Sequence, residues 1–150
     1  MVFKGYATGT GKKATMKVKD AQLLSWDDVQ GNQSFGAILN QDFVDISFDT
    51  DELSQKFWDM AEKNNWNCLI LENPENGHIH SYWKDTEHRI EKGGKDKKLA
   101  VGLIADIHSG STYIPLRVNG VDRFPPSFEP DDIDEVPAVS YTHLTLPTKL

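Results

Sequence analysis

Asp45 and Asp49 stand in Val44-Asp-Ile-Ser-Phe-Asp49, a stretch whose apolar residues alternate with polar ones. In a strand, that period of two places Asp45, Ser47 and Asp49 on one face and Val44, Ile46 and Phe48 on the other. The apolar face can be buried, while the polar face offers carboxylates to a divalent cation that prefers oxygen ligands. The same acids precede an amphipathic segment, and Asp49 with Glu52 three residues later reads equally as a helix N-terminal cap. Two further places carry related groups. His78 and His80 follow the turn cluster Asn73-Pro-Glu-Asn-Gly77, and Asp106 and His108 close a nearly uncharged run that begins at Leu99. His78 has the ordinary reading of a solvated turn residue, and His80 that of a strand histidine hydrogen-bonded within a sheet.

The elements that must position these groups follow from periodicity. Leu53, Phe57, Met60 and Ala61 recur at helical spacing, which predicts a helix from Asp51 to about Asn64-Asn65 with one stripe in the core. Trp66 to Leu71 and His78 to Trp83 are predicted strands on either side of the turn cluster. Within the run from Leu99, the residues Ala100, Gly102, Ile104, Asp106 and His108 share a strand face. Thr112 to Val118 and Val121 to Phe124 flank Asn119-Gly120, a strong hairpin signal. Before the acidic strand, residues 1 to 20 read as turns and a basic loop, Ala21 to Gln30 as a short helix, and Phe35 to Leu39 as the entry to the strand. Lys84 to Lys98 reads as a charged loop. These elements imply an α+β fold, with a mainly antiparallel sheet and helices packed on one face.

The 150 residues, 38% apolar and 26% charged, are those of an ordinary soluble domain, and a net charge of −7 excludes a surface that binds nucleic acid everywhere. The positive charge is concentrated in Lys4, Lys12, Lys13, Lys17 and Lys19, and in a mixed group from Lys84 to Lys98. Thr-Gly-Thr-Gly-Lys-Lys lacks the spacing of a phosphate-binding loop. The single cysteine, Cys68, lies in an apolar run, so no disulfide framework is expected. No apolar run is long enough to span a membrane, and no signal-peptide core follows Met1, so a cytoplasmic location is expected. Residues 127–138 read as an acidic, proline-containing linker. Residues 139–150 resemble translated sequencing-adapter read-through; a non-native tail and a chain truncated there are expected, leaving 1–126 as the domain.

Carboxylates on one strand, a histidine after a glycine turn, and a second acidic strand resemble the three motifs of the prim-pol catalytic domain of archaeo-eukaryotic-type primases, as in phage and plasmid primase-polymerases often fused to a helicase. The first motif falls on Val44 to Asp49. The second falls on Gly77 to Lys84, where His80-Ser-Tyr-Trp-Lys84 resembles a His-aromatic-Lys tail. The third falls on Gly102-Leu-Ile-Ala-Asp106-Ile-His108, with Tyr113-Ile-Pro-Leu and Asn119-Gly-Val-Asp-Arg123 following it. The resemblance covers Phe35 to Pro126. It implies metal-dependent nucleotidyl transfer in DNA replication, from nucleoside triphosphates on a single-stranded DNA template, with a helicase as partner. It further implies Mg or Mn held by Asp45, Asp49 and Asp106, catalysis by Asp49, His80 and Asp106, and nucleotide contacts from His80, Lys84, His108 and Arg123.

Two departures from that pattern matter. Ser47 stands where the family's first acid would sit, with Asp45 two residues earlier, and His108 replaces the basic residue of the third motif. They leave two other readings open. One is a catalytically degraded module of the same fold that binds single strands or nucleotides. The other is a metal-dependent hydrolase using His78, His80, Asp106 and His108, since imidazole suits zinc.

Overall fold

The alternation around Asp45 does form a strand, and that strand is the middle of a sheet. The structure, a computed structural model, describes residues 2–16, 22–88, 90, 94–99, 102–110, 112–123 and 133. The expected linker and tail therefore lie outside the described residues, apart from Ile133, which is buried. The chain has an α+β fold, and among the described residues its strands form two five-stranded antiparallel sheets, not the single sheet expected. Its contacts divide it into two units: residues up to 41 with those from 110 to 123, and residues 42–109. The second unit is an insertion between two paired strands of the first.

The first unit contains β1 (Phe3–Thr10), β2 (Lys13–Ala14), α1 (Trp26–Val29), β3 (Phe35–Leu39), β9 (Tyr113–Val118) and β10 (Val121–Asp122). Its sheet order is β10-β9-β3-β1-β2. β3 and β9 pair antiparallel, and Leu39 N–H donates to the Thr112 carbonyl at 2.9 Å, so the chain leaves and re-enters this sheet at one place. The expected basic loop near the N-terminus is largely the strand β1. Its glycines, which suggest turns, serve packing instead. A Cβ on Gly9 would collide with the Tyr113 hydroxyl and one on Gly5 with the Leu23 side chain; on β3, one on Gly36 would collide with the Ile114 carbonyl and the Tyr113 ring. Burial of the Tyr113 phenol pushes its pKa up to about 12.

The expected helix over Ala21 to Gln30 shrinks to one turn, because Ser25 caps it. The Ser25 hydroxyl accepts from Asp28 N–H while Asp28 accepts from Ser25 N–H, and these bonds lower the Asp28 pKa. Leu24 instead bridges to Tyr6 of β1, and Leu23 is exposed. Asn119 and Gly120 both adopt positive φ, the backbone that a two-residue hairpin between twisted strands requires.

The second unit contains β4 (Phe43–Ser47), α2 (Asp51–Lys63), β5 (Leu69–Glu72), β6 (Ile79–Lys84), β7 (Gly94–Lys98) and β8 (Ile104–Ser109). Its sheet order is β5-β6-β4-β8-β7, with β4 central. The α2 stripe is as predicted: Phe57 and Ala61 are buried in a core with Val44, Ile46, Phe48, Trp83 and Ile107, and Leu53 and Met60 pack against it. Phe57 stacks on Phe48 and meets Trp83 edge to face, and Trp66 packs edge-on against Trp83. The cap of α2 is Thr50 and not Asp49: its hydroxyl accepts from Leu53 N–H at 3.1 Å. Ser54 on α2 accepts from Ile79 N–H, tying the helix to the start of β6.

Two local expectations change here. The run from Leu99 is broken by a turn at Gly102 (φ +92°), so the strand begins only at Ile104. Ala100 itself lies outside the described residues. The charged loop before it holds the edge strand β7, and lysines on an edge deter pairing with other chains.

Candidate functional site

Register decides which side chains share a face, because residues paired across antiparallel strands point to the same side. On β4, Asp45 pairs with Tyr82 of β6 and His108 of β8, and Ser47 pairs with His80 of β6 and Asp106 of β8. Phe43 pairs with Lys84. Asp45, His80, Lys84, Asp106 and His108 therefore lie on one face of β6-β4-β8. The opposite face carries Val44, Ile46, Trp83 and Ile107 into the core beside α2. His80 and Asp106 flank Ser47 across two strand spacings, ~10 Å at the backbone, within the joint reach of two side chains toward one ligand. Asp49 lies two residues beyond β4 and is exposed.

Exposure is graded across this face. Asp45 is 2% exposed, His80, Lys84 and Asp106 are half-buried, and His108 is exposed. The Asp45 carboxylate lies 3.4 Å from His80 Nδ1 through Oδ2, and its Oδ1 is buried without a hydrogen-bond partner. Ser47 is buried, and its hydroxyl donates to the Asp106 main-chain carbonyl at 3.4 Å, stitching β4 to β8 beside the Asp106 side chain. Ser81, on the core face between His80 and Tyr82, donates to the Ile46 carbonyl at 2.7 Å and accepts from the Trp83 indole N–H. These bonds hold β6 in register against β4.

His78 is half-buried and pairs through Nε2 with Asp51 in the first turn of α2 at 3.3 Å, so it is not the solvated turn residue expected. Arg123 belongs to the first unit, where its N–H donates to the Leu116 carbonyl. Sequence reasoning missed two residues of local importance. Asp85, read only as part of a charged segment, is buried; its carboxylate accepts from Ile90 N–H at 2.9 Å and its own N–H donates to the Asp42 carbonyl at 2.7 Å. Its position one residue after the alternating strand, before Thr86-Glu87, is the turn signal that could have found it. Tyr82 sits beside Asp45 on the polar face, a position that period-two counting from His80 already implies.

Among the described residues, no three or more His, Cys, Asp or Glu side chains are grouped so as to hold a metal ion by themselves. Mg, however, is commonly held by one or two carboxylates with substrate phosphates completing its shell, and the oxygen donors of Asp49 and Asp106 are of the type Mg and Mn prefer. Among the described residues, no helix is long and apolar enough to cross a membrane. Comparison with known protein families, with curated proteins and with solved structures finds no match to this chain.

Proposed function

We propose that this chain is a primase-polymerase domain that joins nucleoside triphosphates on a single-stranded DNA template during DNA replication in a cytoplasm, with a helicase as partner. The observation that carries this reading is the gathering of Asp106, His80, Lys84 and His108 on the polar face around β4, with Asp49 just beyond its end. The three motif positions come from separate parts of the sequence, and the register unites them. Asp49 and Asp106 would hold Mg or Mn, which when bound neutralises charge on the triphosphate and favours attack by the 3′-hydroxyl. Lys84 contributes a fixed positive charge for phosphate oxygens, and His80 and His108 contribute ring nitrogens to the same surface. Phosphate neutralisation supplies much of nucleic-acid affinity, so a chain with net charge −7 is expected to draw template affinity from a partner.

A second reading, the binding module with a degraded metal site, is favoured by Ser47. The residue where the resemblance places an acid is a buried hydroxyl already engaged with the Asp106 carbonyl. The hydrolase reading has less support: His78 and His80 are each paired with a different aspartate, Asp51 and Asp45. Primer synthesis with and without Asp106→Asn tests the first reading. Binding of labelled single-stranded DNA by a protein that makes no product would support the second.

A further inference from the structure

Asp45 stands two residues before the position where the resemblance expects a metal-binding acid, and its surroundings suit a different task. Its side chain is 3% exposed, whereas that of His80 is 36% exposed. The acid thus lies inside and the ring reaches outward from it. Among the described residues, His80 supplies the only hydrogen bond the Asp45 carboxylate makes, at 3.4 Å to Nδ1, and Oδ1 has none. A buried carboxylate is costly unless paired, so this acid depends on the imidazole. A carboxylate beside one ring nitrogen of a neutral histidine favours the tautomer with the proton on that nitrogen.

We propose that Asp45 is a positioning residue, not a metal ligand: it accepts a hydrogen bond from His80 Nδ1–H and fixes the ring so that Nε2 meets the substrate. The role of Nε2 in contacting nucleotide rests on the function proposed above; the Asp45–His80 arrangement does not. When His80 contacts a phosphate oxygen as an imidazolium, Nδ1–H stays on Asp45 and Nε2–H donates, so the ring orientation is unchanged. On β4, Ser47 pairs directly with His80 and Asp45 lies diagonally from it, and on β5 Leu71 pairs with it. This assigns a use to the extra acid and leaves Asp49 and Asp106 as the metal pair.

The test is the tautomer of His80, read from imidazole ¹⁵N shifts in the parent protein under conditions where the ring is neutral, with His80→Gln used to assign the signals. The expected result is the Nδ1–H form, favoured on the order of tenfold by a charge-assisted hydrogen bond. Asp45→Asn, whose amide carbonyl can still accept, keeps that form, and Asp45→Ala loses it. In a parallel titration with Mn, Asp45→Asn binds as the parent does while Asp106→Asn binds at least about tenfold more weakly. An Nε2–H tautomer in the parent overturns the proposal, as does a Mn loss in Asp45→Asn equal to that in Asp106→Asn. The tautomer is read without catalysis, so a protein that makes no primer but shows the Nδ1–H form would overturn the function and leave this pairing intact.

Discussion

Asp85 and Tyr113 show how much a single polar group can depend on its setting. Asp85 satisfies Ile90 N–H at the end of the turn that follows β6, within a few residues of Lys84. Asp85→Ala leaves that buried N–H without a partner and is expected to cost about 1–3 kcal/mol, measured by urea denaturation. Tyr113 gives a pH-dependent prediction. Its folded pKa of about 12 lies above the ordinary phenol value of 10.0, because burial disfavours the phenolate. The stability linked to this group is therefore fully present below pH 10 and is lost as pH rises toward 12. Tyr113→Phe should remove one late-ionising component from the phenolate absorbance of a pH titration. The acids of the candidate site were legible from residue type and spacing, but their states of burial were not. Nothing local in Val44-Asp-Ile-Ser distinguishes a buried Asp45 from an exposed Asp49; the difference arises because one lies mid-strand between β6 and β8 and the other beyond the strand end.

α2 was the most legible element, since a four-residue apolar stripe at helical spacing has no competing reading, and its end at Asn64 and Asn65 agrees with the positive φ of Asn65. Its cap was misread by one residue because both Asp49 and Thr50 are good capping types, and only the backbone turn chooses between them. Thr50→Ala is expected to cost about 1 kcal/mol in thermal or urea unfolding. β1 and β7 were not legible. Gly5 and Gly9 look like turn residues until Leu23 and Tyr113 are seen against them, and the lysines of β7 look like a solvated loop until β8 supplies the pairing. In both cases a tertiary partner overrides local propensity.

At the scale of the whole molecule, the α+β class and the antiparallel pairing followed from short alternating segments and hairpin signals. The division into two sheets did not, because the pairing of β3 with β9 joins segments separated by the entire inserted unit, and local periodicity carries no information about it. The core of the inserted unit sets the rings of Phe48, Phe57 and Trp83 among aliphatic side chains, and Trp83 is almost fully buried, so Trp83→Ala is expected to cost about 3–5 kcal/mol in urea denaturation. That core gives β4, β6 and β8 a rigid backing, and their opposite face holds the groups on which the proposed function depends. The most direct measurement is primer synthesis and extension on single-stranded DNA with labelled nucleoside triphosphates, in Mg and in Mn, comparing the protein with Asp106→Asn. The expected result is product from the parent and a loss of more than about a hundredfold in a folded Asp106→Asn protein. Product that survives Asp106→Asn, or a folded parent that makes none in either metal, would contradict catalysis at this face.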